Sequence, residues 1–207
     1  MKLRNFGKGL NHLIYPTLLR DPANVIDAGS SYGEFVDAWK KMFPDLRTNI
    51  VCLEPSRHAR GVFSKTHSGP GIYLFDNALT GETPGEVEFV EYLGSKGKYH
   101  QWGNCEALYG NKVPAQIKRN RYSVSTTNLS CIMNSPACVG CIDYLKMDIE
   151  GSEHSVIMNL DRETSDRITQ MSFELHRPGD REEILKKLKR LGFGTIIEEG
   201  MEVYATK

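Results

Sequence analysis

The sequence predicts an α/β protein: an open, doubly wound sheet of mostly parallel strands with one reversed strand at its end. Three observations lead there. The first third alternates short apolar runs with helical spacing in the order β-α-β-α-β. The same strand-then-helix step recurs twice after the middle of the chain. A Glu199-Gly200-Met201 turn joins the last two runs as a hairpin, which sets the final strand antiparallel on an otherwise parallel sheet.

The first strand is Asn24-Val25-Ile26-Asp27-Ala28, running into the glycine-punctuated loop Gly29-Ser30-Ser31-Tyr32-Gly33. Phe35, Val36, Trp39 and Met42 then recur at helical spacing until Pro44 stops them. Residues 49–53 are a second buried strand closed by Glu54-Pro55, Ser56 opens a helix through Phe63, and residues 71–75 are a third strand. In the middle, residues 86–92 alternate as an exposed strand, and residues 121–126 offer it a partner in a hairpin-like excursion. Residues 93–120, polar and glycine-bearing, with Tyr99, His100, Trp102 and Tyr109, read as a long lid or substrate loop.

Regularity returns with strands at residues 142–148 and 168–175. Each is followed by a helix, one from Ser152 with Val156, Ile157 and Leu160 inward, one from Asp180 with Ile184, Leu185, Leu188 and Leu191 inward. Residues 194–198 and 202–205 form the terminal hairpin. One domain over residues 1–207 is expected, with residues 1–23 as an N-terminal helical extension.

Composition narrows the function. In 207 residues, 26 Lys+Arg balance 26 Asp+Glu, which argues against whole-surface attraction to nucleic acid or to anionic membrane. No apolar run approaches the ~20 residues that span a bilayer, and Asn5, Lys8, Asn11 and His12 interrupt the start of the chain, so neither leader nor anchor is expected. Five cysteines (52, 105, 131, 138, 141) cannot all pair internally and fit a reduced, cytoplasmic setting. The CxxC of Cys138 and Cys141 lacks the second pair of a structural zinc site. Lys118-Arg119-Asn120-Arg121 reads as a solvated loop whose functional role would be contact with an acidic acceptor.

In open α/β sheets, ligands bind beyond the carboxyl ends of the strands, where strand order reverses. The loop from Asp27 to Gly33 can make a tight turn and point a helix N-terminus at a ligand. It has neither the GxGxxG of a nicotinamide site, which argues against an NAD-dependent oxidoreductase, nor the Gly-Lys-Ser/Thr of a phosphate loop. Glu54 at the end of the second strand can accept two hydrogen bonds from a ribose diol. Asp76-Asn77-Ala78, after the third, can meet a purine edge. Lys146 and Asp148 share a face of a central strand, so Asp148 is the expected partner of the buried lysine. Adjacent strand ends then gather Asp148, Glu150, Glu174 and His176. These donors could hold a divalent metal, but none is predicted.

The segments V-I-D-A-G-S-S-Y-G-E-F, C-L-E-P-S, D-N-A-L-T-G-E-T-P-G-E-V-E-F, Y-L-K-M-D-I-E-G-S-E and F-E-L-H, in this order, resemble the FkbM family of S-adenosylmethionine-dependent methyltransferases. The similarity runs from about Asn24 to His176, and K-x-D-x-E-G-x-E is its most specific part. Thr126-Thr127-Asn128-Leu129-Ser130 departs from the family's usual Thr-Leu-Asp-Asp-like run, in what would be substrate wall. The resemblance implies a class I, Rossmann-like methyltransferase fold of seven strands, the last antiparallel. It also implies S-adenosylmethionine bound by Asp27, Gly29, Ser30, Tyr32, Gly33, Glu54, Asp76, Asn77 and Ala78. The acceptor is expected to be a small hydroxylated molecule, such as a sugar, methylated on oxygen. His176 is the expected base, with Asp148 orienting the acceptor and Glu150 third. The alternative of another class is a nucleoside-binding or assembly module on the same fold that has lost the reaction. Acceptor identity and oligomeric state are not readable from the sequence.

Overall fold

The computed structural model describes residues 2–7, 10–93, 99–104, 118–138 and 140–207. Seven strands form the main sheet: β3 (Ala23–Ala28), β4 (Thr48–Leu53), β5 (Ile72–Phe75), β10 (Tyr144–Met147), β11 (Gln170–Glu174), β12 (Thr195–Glu199) and β13 (Glu202–Thr206). Their order is β12-β13-β11-β10-β3-β4-β5, all parallel except β13, which runs antiparallel to both of its neighbours. Chain order departs from β3 in two directions, to β4 and β5 on one side and to β10 and β11 on the other. The reversal therefore falls between β3 and β10, and in open α/β sheets ligands bind beyond the carboxyl ends of the strands at such a point.

Helices cover both faces. On one, α1 (Glu34–Met42) and α2 (Arg57–Thr66) bury Phe35, Val36, Trp39 and Phe63 against Val25, Ile50, Cys52 and Tyr144. The other face holds the larger core. There α4 (Glu153–Asn159) and α6 (Arg181–Arg190) bring Val156, Ile157, Ile184 and Leu188 onto Ile26, Leu145, Met171 and Val203. The short helices α3 (Leu129–Met133) and α5 (Arg162–Asp166) are additions to the expected set, each capped by the side chain before it, Asn128 and Asp161.

The N-terminal segment is not the helical extension expected over residues 1–23. It is an antiparallel hairpin of β1 (Arg4–Gly7) and β2 (Leu10–Ile14), followed by a single 3-10 turn at Pro16–Leu18. Gly7 takes a left-handed φ of 107°, which ends helical geometry. Tertiary bonds then fix the extended form: Leu13 N–H donates to Ser172 Oγ and Tyr15 N–H to Gln170, while His12 Nδ1 lies 2.6 Å from buried Glu202.

The middle excursion is a second sheet of four strands, in the order β6-β9-β7-β8. It consists of β6 (Ala78–Leu79), β7 (Glu86–Leu93), β8 (Tyr99–Asn104) and β9 (Lys118–Thr127). The stretch expected as one long loop over residues 93–120 thus contains a third strand, β8, antiparallel to β7. Lys118-Arg119-Asn120-Arg121 opens β9 rather than a loop. Residues 94–98 and 105–117, including Tyr109 and Cys105, lie outside the described residues, as do the side chains of Tyr99, His100 and Trp102. The expected exposure of β7 holds only at its start, at Glu86 and Glu88, because Phe89, Val90, Glu91 and Tyr92 are all buried. Alternation in the sequence locates the strand but says nothing of what covers each face.

Candidate active site at the carboxyl edge of the sheet

The loop after β3 crosses the end of β10 so closely that a side chain is excluded. Gly29 has φ 78°, and a Cβ there would stand 1.8 Å from the Asp148 carbonyl oxygen. Gly33, at φ 100°, caps α1, and a Cβ on it would meet the buried His67 ring at 2.4 Å. Ser31 (φ 48°) and Glu150 (φ 56°) are the non-glycine residues with positive φ among the described ones. They follow β3 and β10, so backbone strain gathers on both sides of the crevice.

The loop amides are all engaged within the protein. Gly29 and Ser30 N–H donate to the Leu53 carbonyl, Ser31 N–H to Glu54 Oε2, Tyr32 N–H to Glu34 and Gly33 N–H to the Ser30 carbonyl. The loop therefore presents no ring of unsatisfied amides for an anion. The hydroxyl of buried Ser30 also turns inward, donating to the Asp27 carbonyl.

Asp27 is fully buried, and its partner corrects the expected pairing of Lys146 with Asp148. Lys146 Nζ lies 3.1 Å from Asp27 Oδ1 and donates to the Gly29 carbonyl at 2.7 Å. Cross-strand register explains the choice, since Lys146 sits directly opposite Asp27 on the adjacent strand. Burial alone would lower the lysine pKa, but the charges of Asp27, Asp148 and Glu54 outweigh it and hold the ammonium protonated. The ion pair thus ties the loop to the middle of the sheet.

Glu54 is buried at the end of β4. Its Oε2 accepts from Ser31 N–H at 2.8 Å and its Oε1 from Ser56 N–H at 2.7 Å, so it links the loops after β3 and β4. Burial pushes its pKa up to about 7, against the pull of those two amides. Tyr32 lies beside it, edge-on to His58 at 5.9 Å. Of the expected purine-contacting turn, Asp76 is exposed and pairs with Arg60 at 3.0 Å, Asn77 is half-buried, and Ala78 is buried at the start of β6.

The second cluster lies at the ends of β10 and β11. His176 Nε2 faces Glu150 at 3.6 Å, Asp148 at 3.7 Å and Glu174 at 4.0 Å. Its Nδ1 lies 3.0 Å from Glu153 Oε1. Burial would lower the imidazole pKa, but the Glu153 contact and the charges of Glu153, Glu150 and Asp148 lift it to about 9. Burial also raises Glu150 to about 7, opposed by His176 and reinforced by Asp148. Among the described residues Asp148, Glu174 and His176 each offer a ligand atom, all within 4.8 Å of one another, and no other such group of metal-binding side chains is found. Cys138 and Cys141 are free thiols, with burial pushing Cys138 up to about 11.

Sequence reasoning missed Glu153 and Glu91. Glu153 is buried at the first turn of α4 and also accepts from Ile149 and Gly151 N–H. Its signal was the second glutamate of Glu150-Gly151-Ser152-Glu153, positioned to reach back over the turn. Glu91 lies on β7 and carried no local signal at all.

A family model described as the methyltransferase FkbM domain matches residues 46–194. Among solved structures, a methyltransferase FkbM from Methylobacillus flagellatus superposes with a TM-score of 0.56 at 16% identity, over 92% of this chain and 45% of that one. A precorrin-6y C5,15-methyltransferase from Geobacter metallireducens aligns at TM-score 0.47 and 11% identity, covering 91% of this chain and 82% of its own. Aeropyrum pernix fibrillarin, solved with natively bound S-adenosyl-L-methionine, aligns at TM-score 0.47 and 10% identity, over 90% and 67%. The chain spans less than half the length of the Methylobacillus protein. No curated protein matches the sequence significantly.

Proposed function

The chain belongs to the methyltransferase FkbM family, and from that footing we propose that it methylates a hydroxyl of a small molecule, a sugar or similar metabolite, using S-adenosylmethionine. One observation carries the reading: the glycine loop lies directly on the end of β10 and is tied to buried Glu54 at the neighbouring strand end. That arrangement offers a carboxylate for a ribose diol and a crevice without phosphate-binding amides, which suits a nucleoside bearing no phosphate.

Gly29, Ser30, Tyr32 and Gly33 would line the amino-acid side of the cofactor, with Asp27 holding the loop from beneath through Lys146. Glu54 would take the ribose, and Asp76, Asn77 and Ala78 the base. When bound, the cofactor supplies a methyl on a positively charged sulfur, already activated as a leaving group. The acidic rim of Glu54, Asp148, Glu150 and Glu174 is matched to that charge.

The protein's remaining task is to hold the acceptor and accept its proton. His176 Nε2 is the acceptor of that proton, Asp148 orients the hydroxyl, and Glu150, poised near neutral pH, is the second acceptor. Because neighbouring carboxylates keep His176 protonated at neutral pH, turnover is expected to increase toward alkaline pH. In the absence of acceptor, binding alone tests the cofactor assignment. S-adenosylmethionine and S-adenosylhomocysteine should raise the melting temperature whether or not a chelator is present, and NAD should not. Stabilisation by NAD alone would overturn it.

A further inference from the structure

Glu91 is a buried carboxylate on the inserted sheet that the mechanism above does not use. Its Oε1 accepts from Ser56 Oγ at 2.7 Å and His58 N–H at 3.1 Å, and its Oε2 lies 3.4 Å from Asn120 Nδ2 on β9. Tyr122, also on β9, accepts from Arg57 N–H at 3.0 Å. With Ala59 N–H donating to Ser56 Oγ, the first three amides of α2 are all satisfied, two of them by the inserted sheet. Ser56 is the hinge of the arrangement: its hydroxyl is held by Glu91 while its N–H is aimed at Glu54.

We infer that Glu91 is a positioning residue for cofactor binding: through Ser56 it fixes Glu54 in the orientation that grips the ribose, making the inserted sheet part of the cofactor site. The inference rests on the proposed reading that Glu54 holds the ribose diol. A negative charge at the N-terminus of α2 is favoured by the helix dipole, so Glu91 remains ionised there despite burial, as its lowered pKa also indicates. Ser56 is thus bonded to two carboxylates at once, to Glu91 through its hydroxyl and to Glu54 through its amide. The sheet carrying Glu91 is also joined to the strand-end turns by β6, whose Ala78 pairs with Thr126 of β9.

The test is calorimetric titration of the full chain with S-adenosylhomocysteine and with its 2′,3′-dideoxyribosyl analogue, the deoxy analogue that lacks both hydroxyls of the diol. Wild type, Glu54→Gln and Glu91→Ala are compared. If the inference holds, both variants bind S-adenosylhomocysteine about tenfold or more weakly, the size of one charge-assisted hydrogen bond, while their affinity for the deoxy analogue equals that of wild type. Equal weakening of both ligands by Glu91→Ala would mark a merely structural role and overturn the inference. So would wild-type affinity in Glu91→Ala alongside weakened binding in Glu54→Gln, which leaves the ribose reading standing. Full affinity in Glu54→Gln removes the ribose reading, and the inference with it. Should Glu91→Ala not fold, Ser56→Ala cuts the same link at its centre and is read in the same way.

Discussion

Lys146 and Asp27 form a buried ion pair, Nζ to Oδ1 at 3.1 Å, between the adjacent strands β10 and β3, where the strand order reverses. Neither side chain is more than 3% exposed, so each depends on the other for charge compensation. Lys146→Met should therefore cost about 3–5 kcal/mol of stability, because it leaves the buried Asp27 carboxyl without its counter-ion. The double change Lys146→Met with Asp27→Leu should recover most of that loss while still failing to bind S-adenosylhomocysteine. Urea unfolding at neutral pH with parallel ligand titration checks both outcomes.

Gly29 makes a sharper demand. A methyl group there meets a backbone carbonyl at 1.8 Å and a left-handed φ as well, so neither a rotamer change nor a small side-chain shift relieves it. Gly29→Ala should lower the melting temperature by several degrees, a loss of about 1–3 kcal/mol, and abolish cofactor affinity. Gly7→Ala also replaces a positive-φ glycine, but with open space around it, and should leave cofactor affinity unchanged.

The pH dependence of turnover should report His176. A proton acceptor must be unprotonated, so kcat/KM is expected to increase with pH through an apparent value near 9. Glu153→Gln removes the charge beside Nδ1 and should move that limb down toward the ordinary imidazole range. A limb near 7 in the wild type would transfer the role to Glu150.

Glu150 combines positive φ with a half-buried carboxylate, and both burdens lie at the site. Its folded pKa is raised, so its stabilising contribution is full below the unfolded value of 4.5 and is lost as pH increases through about 7. Glu150→Gly should consequently stabilise the protein more at pH 8 than at pH 4.5, by at most about 3 kcal/mol between the two. Turnover should fall. Thermal melts at the two pH values test the sign.

Much of the main sheet was legible because each strand is an apolar run with its own punctuation. Residues 24–28, 49–53 and 71–75 needed no tertiary information, and the Glu199-Gly200-Met201 turn disclosed the antiparallel end. The N-terminal hairpin was not legible, since Leu13 and Tyr15 become extended by bonding side chains more than a hundred residues away. The third strand of the inserted sheet was hidden for the same reason: β8 is defined by its pairing with β7. Strand-end logic placed Glu54, Asp148 and His176 at the carboxyl edge of the sheet, where the structure also has them. It mispaired Lys146, because proximity in sequence favours Asp148 whereas sheet register favours Asp27. Glu91 became visible only when the inserted sheet was seen resting on the start of α2.

The central claim is that a sulfur nucleoside occupies the crevice between β3 and β10, and a crystal structure of the chain with S-adenosylhomocysteine tests it most directly. The account predicts the ligand over Gly29 to Gly33, with its ribose hydroxyls on Glu54 and its sulfur facing the acidic cluster around His176. Ligand bound elsewhere on the chain, or a ribose facing solvent and making no contact with Glu54, would contradict it.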